Sequence, residues 1–385
     1  MAEKFRRMAG RDPAEAHRAS TALELFFDLC FVVAVAQAST RLHHALAEGE
    51  SGHALVSYLA VFFAIWWAWM NFTWFASAYD TDDVPYRLTT FVQIAGALIL
   101  AAGVPAAFDE ANYAVVTLGY VVMRLAMVSQ WLRAAHNDPA HRGPALRYAA
   151  GIALVQVGWV ARLALPPTGQ SIAFVVLVVA ELVVPVLAER GNMTTWHPRH
   201  IAERYGLFTI IVLGESVLSA TVALQATFAA GHGGAALVVL AVGALVIVFS
   251  MWWLYFDRPL EPDQLATPLA SFSWGYAHYF VFASAAAVGA ALAAAADQLS
   301  GESHTSGTAV GAALALPVAL YVIMVGALRQ RPGDALLTRL AYPVAGLLIG
   351  AAWFTPAPVV VIAALLVGLV GLTTAARSAR AERRA

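Results

Sequence analysis

Apolar runs of roughly twenty residues recur along almost the whole chain, and nothing else in the sequence constrains the fold as strongly. A helix of that length crosses a hydrocarbon core about 30 Å thick, at roughly 1.5 Å per residue. In lipid every backbone N–H and C=O has to be bonded within the protein, so such runs fold as helices. Twelve spans are predicted, at about 21–44, 54–79, 84–108, 112–135, 145–166, 171–189, 199–226, 235–256, 268–295, 307–329, 336–354 and 357–376. The expected fold is all-α, a polytopic membrane helix bundle of about 12 transmembrane helices. The connections are short and rich in Gly and Pro, as at Pro166-Pro167 and Gly231-His232-Gly233-Gly234. No linker separates a soluble domain. Residues 1–20 read as a cytoplasmic N-terminal tail, 21–376 as the membrane domain and 377–385 as a basic cytoplasmic tail.

Composition agrees with this reading. Charged residues make up 12% of the chain, about half the share in a soluble protein, and mean hydropathy is +0.69. The single cysteine, Cys30, excludes an intramolecular disulfide and a multi-cysteine metal site. The polar opening MAEKFRRMAGRDPAEAHRAS does not read as a signal peptide. No basic patch interleaved with aromatics points to nucleic acid. The expected partners are membrane lipid and a small-molecule or ion ligand.

Arginine and lysine orient the bundle. Twenty of the 23 basic residues fall on one side of the twelve spans. The opposite loops hold Glu48, Glu50, Asp109, Glu110, Asp297 and Glu302. Both termini are therefore expected in the cytoplasm, in a bacterial cytoplasmic (inner) membrane. The exceptions are Arg41, Arg124 and Arg162. Arg41 and Arg162 lie near outer helix ends, where they can snorkel. Arg124 lies deep in span four and needs a partner.

The stretch His200–Ser216, HIAERYGLFTIIVLGES, holds the densest set of charges inside a span. On a helix, His200, Glu203, Arg204 and Glu215 share an arc of roughly 120°. Span one begins with Glu24 and Asp28, one turn apart on one face. Like charges so placed repel, so a cation, a shared proton or an arginine is expected between them. The entrances of spans one and seven are thus expected to form one polar cluster of Glu24, Asp28, His200, Glu203 and Arg204. Deeper, Arg124, Glu181 and Glu215 are all expected near the midplane, with the arginine paired to one or both acids. The loop after span two crowds Asp80, Asp82, Asp83 and Arg87; it reads either as a solvated turn in which Asp80 or Asp82 caps the next helix, or as a Mg²⁺ site. Asp257 and Glu261 occupy the corresponding loop after span eight. The aromatics of span two, Trp66, Trp67, Trp69, Phe72, Trp74 and Phe75, read as bundle packing or as the lining of a cation-stabilising pocket.

A parallel 6+6 repeat, 21–189 against 199–376, is also indicated. Glu24-Leu25-Phe26 opens span one and Glu203 with Leu207-Phe208 opens span seven; Tyr79-Asp80 and Phe256-Asp257 close spans two and eight.

These stretches resemble the bacterial low temperature requirement protein A family. The matching residues are Glu24-Leu25-Phe26-Phe27-Asp28-Leu29, Asp80-Thr81-Asp82-Asp83 with Arg87, and His200-Ile201-Ala202-Glu203-Arg204 through Leu213-Gly214-Glu215. The resemblance implies a polytopic bacterial membrane protein and leaves the chemistry open. Two readings follow. In the first the protein is transporter-like and moves a small solute or ion, with Glu181 and Glu215 as coupling acids. In the second it is an intramembrane enzyme acting on an isoprenoid or lipid diphosphate. There Asp80, Asp82 and Asp83 would be catalytic, and Mg²⁺ would lie among Asp80, Asp82, Asp83, Asp257 and Glu261.

Overall fold

The structure, a computed structural model, describes residues 5–12, 15, 18–258, 262–265, 267–331 and 334–382. Of these, the side chains of residues 51, 262, 263 and 379–382 lie outside the description, as does Glu261 entirely. The chain is 84% helical, with no strand among the described residues. The twelve helices are α1 (Ala22–Glu48), α2 (Ser51–Tyr79), α3 (Val84–Asp109), α4 (Ala114–Asn137), α5 (Arg142–Arg162), α6 (Pro167–Ala188), α7 (Pro198–Ala229), α8 (Ala235–Phe256), α9 (Pro268–Ser300), α10 (Gly307–Arg329), α11 (Leu336–Ala351) and α12 (Pro358–Glu382).

Among the described residues, four helices start at a side-chain cap that the sequence supplies. Side-chain oxygens of Asp83, Thr267 and Ser306 accept from the backbone N–H groups of Tyr86, Ala270 and Ala309 at the starts of α3, α9 and α10. Thr21 and Glu24 form a reciprocal capping box at α1: Thr21 N–H donates to Glu24 Oε2 (2.8 Å) and Glu24 N–H to Thr21 Oγ1 (3.3 Å).

Eleven of the twelve helices are long and apolar enough to cross a membrane. The exception is α5, whose apolar residues are diluted by Arg147, Gln156 and Arg162. Apolar side chains also point outward, as on α6, where Ile172, Val175 and Val176 are exposed. In water that would be a liability; in a multi-pass membrane protein it is the lipid-facing surface.

The helices fall into two compact units, Met1–Gln37 with Ala60–Tyr205, and Ala38–Leu59 with Gly206–Ala385. In the first, α3 packs on α4, α4 on α5 and α5 on α6. The α3–α4 contact is so close that a Cβ on Gly119 would lie 2.5 Å from the Gly96 carbonyl oxygen. Small residues let two backbones approach where lipid supplies no hydrophobic drive. Residues before α1 lie against this unit. Met8 is fully buried, Arg6 N–H donates to Asp83 Oδ2 (2.8 Å), Arg11 N–H to the Ala78 carbonyl (2.9 Å), and Arg18 Nη2 to the Ala76 carbonyl (2.7 Å). Arg18 thus serves the open carbonyls at the end of α2. Arg162 does not reach for water: it is buried, with its guanidinium over the rings of Tyr113 and Phe174 at 4.9 and 5.3 Å.

In the second unit α9 packs on α10, α10 on α11, and α12 on both α8 and α11. Ion pairs join its loops: Arg258 to Asp334 (3.0 Å) and Arg377 to Asp257 (2.6 Å).

Candidate functional site

The start of α7 and the start of α1 bring the largest group of charges together, within the first unit. Arg204 meets Asp28 side-on, with Nε 3.1 Å from Oδ2 and Nη2 2.5 Å from Oδ1, and its Nη1 lies 3.1 Å from Glu24 Oε1. That planar fork is what a guanidinium offers and an ammonium does not. His200 Nε2 lies 3.2 Å from Glu24 Oε1, while its Nδ1 has no hydrogen-bond partner. Trp69 Nε1–H donates to Asp28 Oδ1 (2.7 Å). Glu24, Asp28, His200 and Arg204 are all fully buried. Glu203 does not join them. It accepts the Ser20 N–H at 3.2 Å, because one position earlier on the helix turns its side chain away from Arg204.

Two further groups complete the cluster. Arg18 Nη2 lies 3.5 Å from Glu24 Oε1 and 3.9 Å from Asp80 Oδ2. The buried Tyr86 hydroxyl has no hydrogen-bond partner, yet it is close enough to feel the charges of Asp80, Glu24, Arg18 and Arg204. Burial, then the charge of Glu24, push the Asp80 carboxyl up to about 6 against the pull of Arg18. Three acids (Glu24, Asp28, Asp80) therefore face two arginines (Arg18, Arg204). With His200 neutral, the buried set carries one excess negative charge, which one proton cancels.

The acidic loop corrects one expectation. The cap of α3 is Asp83, not Asp80 or Asp82. Burial pushes the Asp83 carboxyl up, but its hydrogen bonds to Arg133 and to the backbone N–H groups of Arg6 and Tyr86 hold it down at about 2. Asp82, in the left-handed region at φ 48°, forms a two-bond pair with Arg87, both contacts at 2.7 Å. Asp80 turns back to accept the Asp82 N–H (3.0 Å) and faces Arg18. Each of the three carboxylates thus answers a different arginine. Asp257 answers Arg377. Among the described residues no group of three or more His, Cys, Asp or Glu is placed to hold a metal ion; Glu261, part of the expected Mg²⁺ set, lies outside the described residues. The aromatics of α2 pack inside the bundle, and the Arg204 guanidinium lies 6.0 Å from the centroid of the Phe72 ring. Trp66, Trp67 and Trp69 are buried, and two of them donate to acids.

Arg124 pairs with Glu181. Arg124 Nη2 lies 2.8 Å from Glu181 Oε2. Glu181 also accepts from Trp67 Nε1–H (2.9 Å), the Tyr120 hydroxyl (2.7 Å), Gln156 Nε2 (3.1 Å) and Trp159 Nε1–H (3.2 Å). Five donors from α2, α4 and α5 converge on one carboxylate of α6. A carboxylate so saturated with donors is fixed in place, the opposite of what a coupling acid needs. Glu215, in the second unit, has one hydrogen bond of this quality, from Ser219 Oγ (2.6 Å).

Arg18, Tyr86 and Arg133 carry no sequence signal that marks them as site residues, and Trp69 reads there only as one of the aromatics of span two. Arg18 and Arg133 register in the sequence only as topology markers, and no spacing rule links them to Asp80 or Asp83. For Glu24 a signal existed: Thr21-Ala22-Leu23-Glu24 spells a capping box.

The family described as bacterial low temperature requirement A protein matches residues 19–375. A protein of Rhizobium meliloti (strain 1021), named only as uncharacterized protein RA0937, is 29% identical over 242 residues, covering 60% of this chain and 57% of the relative. The chain thus spans little more than half the length of that relative. No solved structure matches.

Proposed function

The chain belongs to the bacterial low temperature requirement A family, and from that premise we propose that it is a transporter-like protein that moves a small solute or ion and binds a proton at the Arg18–Glu24–Asp28–Asp80–His200–Arg204 cluster. The carrying observation is the odd charge. Three buried acids face two arginines, and Asp80 takes up its proton at about 6. A merely structural set would be neutral at all physiological pH. A set one charge short of neutral takes a proton at a cost the cell can supply, as coupled transporters require. We further propose that this cluster faces the cytoplasm of a bacterial inner membrane, with both termini inside, from the bias of basic residues. Membrane lipid covers the exposed apolar faces. The 6+6 repeat is part of the proposal, supported by like order of neighbours: α3, α4, α5 and α6 pack in sequence, and so do α9, α10, α11 and α12.

Nothing in the geometry of the described residues favours the diphosphate enzyme, since Asp80, Asp82, Asp83 and Asp257 each answer an arginine.

The test uses inverted membrane vesicles, acidified inside by respiration and read with a quenched acridine dye. A panel of monovalent cations, amino acids and organic acids is added in turn. At least one should dequench the dye with the wild type and fail with Asp80→Asn. No response to any of the panel overturns proton-coupled movement. For topology, single cysteines on a Cys30→Ser background report sidedness to an impermeant thiol reagent. Position 303 should label from outside intact cells, and position 142 should not; labelling at 142 inverts the assignment.

A further inference from the structure

Glu215 is the buried acid whose surroundings do not account for it. It is 6% exposed on α7 and makes no ion pair. Ser219 Oγ donates to Oε1 (2.6 Å) and the Ser39 hydroxyl faces the same carboxyl, while Oε2 has no hydrogen-bond partner. Among the described residues every other buried acid is satisfied. Glu24, Asp28, Asp80, Asp83 and Glu181 each face an arginine, and Asp138 faces His141. Glu189, the other buried acid without an ion pair, accepts three hydrogen bonds from Thr194 and Tyr148. Ionised, Glu215 is a buried charge with no counter-charge among the described residues; protonated on Oε1 it can donate to Ser219 Oγ, and Oε2 still has no hydrogen-bond partner.

The groups around it are neutral oxygens. Ser39 of α1, Tyr58 of α2 and Ser216 of α7 all donate to one turn of α9, to the carbonyls of Ala286, Ala283 and Ala285. Ser284, on that turn, is buried and its hydroxyl has no partner. The Tyr58 phenol feels the Glu215 charge, and α9 brings no ionisable group from 283 to 286.

We propose that Glu215, with the hydroxyls of Ser39 and Ser219, binds a hard monovalent cation of the sodium class, in exchange for a proton. One carboxylate neutralises one positive charge, so a divalent ion would leave a net charge buried. Hydroxyl and carboxylate oxygens, the groups that Ser39, Ser219 and Glu215 offer, suit a hard cation. The site lies in different residues from the proton cluster and goes beyond that reading.

The test is binding of radioactive sodium to the purified full-length protein in detergent, at mildly alkaline pH and constant ionic strength held with N-methylglucamine. The wild type should bind saturably, and acid should displace the sodium. Glu215→Gln should abolish binding, and Ser39→Ala and Ser219→Ala should each weaken it several-fold. Asp80→Asn should leave it intact, which separates this site from the proton cluster. Absence of saturable binding to the wild type, or its persistence in Glu215→Gln, overturns the proposal. Should Glu215→Gln fail to fold, unchanged affinity in both serine variants overturns it equally.

Discussion

Glu181 and Glu215 are both acids set well inside long apolar helices, and the sequence gives no reason to treat them differently. Their surroundings are opposites. Glu181 collects Arg124, two indole N–H groups, a phenol and an amide. Glu215 collects two serine hydroxyls and leaves one oxygen bare. The lesson is that depth in a helix says only that a charge is expensive. The number of donors says whether the fold has already met that cost, as at Glu181, or left it for a ligand, as at Glu215. Asp80 lies between the extremes, with an arginine 3.9 Å away and a like charge nearby.

The largest effect should come from breaking the saturated site. Arg124→Leu strands the Glu181 carboxylate in low dielectric and should cost about 3–5 kcal/mol. Replacing both residues with leucine should recover part of that loss, although Trp67, Tyr120 and Trp159 then lose their acceptor. Thermal unfolding in detergent measures both. An unchanged melting temperature for Arg124→Leu would mean that Glu181 does not depend on its cation, and the contrast with Glu215 would collapse.

Next comes Asp80→Asn, whose effect depends on pH. The folded-state value of about 6 lies above the ordinary 3.8, so the folded chain holds this proton more tightly than the unfolded chain. The contribution is fully present below the lower value. It is lost as pH rises towards the upper one, and stability is then flat in this group. Asparagine carries no such loss. It should therefore stabilise by up to about 3 kcal/mol above the upper value, at about 1.4 kcal/mol per pH unit, and do nothing below the lower one. Asp83→Asn should behave in the opposite sense. Its carboxyl is held at about 2, so its stabilisation is present at neutral pH and lost in acid, and the variant should be destabilised by about 2 kcal/mol. Denaturation midpoints across the acid range check both signs. A destabilised Asp80→Asn at neutral pH would place Asp80 with the saturated acids.

How much of this was legible follows from what kind of contact each feature is. The twelve helices were, because each is specified by its own run of residues, helped at α1, α3, α9 and α10 by a side-chain cap. The failure of α5 to meet the standard of a membrane span was visible in principle in Arg147, Gln156 and Arg162. The pairing of Glu24 and Asp28 with Arg204 was legible because one helical stripe of like charges demands a cation. Which acid Arg124 chose was not, since Glu181 and Glu215 present the same chemistry and only packing separates them. Arg18 and Arg133 were invisible for the same reason. Each crosses between distant segments, 59 residues from Arg18 to the Ser77 carbonyl and 50 from Arg133 to Asp83, and no local rule reaches that far. Glu203 was misplaced because its sequence position admits either neighbour, and Ser20 offered a backbone N–H.

The smallest effect is also the sharpest test of the comparison. Glu215→Gln, measured in sodium-free medium, should change stability by less than about 1 kcal/mol. Glutamine keeps the carbonyl that accepts from Ser219, and its amide places an unpaired N–H₂ where an unpaired oxygen stood. One unsatisfied group replaces another, and a buried charge without a counter-ion disappears. Glu181→Gln should cost about 3 kcal/mol or more, because its amide nitrogen would face donors and Arg124 would lose its charge partner. The two variants make the same chemical change, so their difference isolates the surroundings. Equal costs would mean that Glu215 is as fully partnered as Glu181, and the bare oxygen would not be the place where a cation binds.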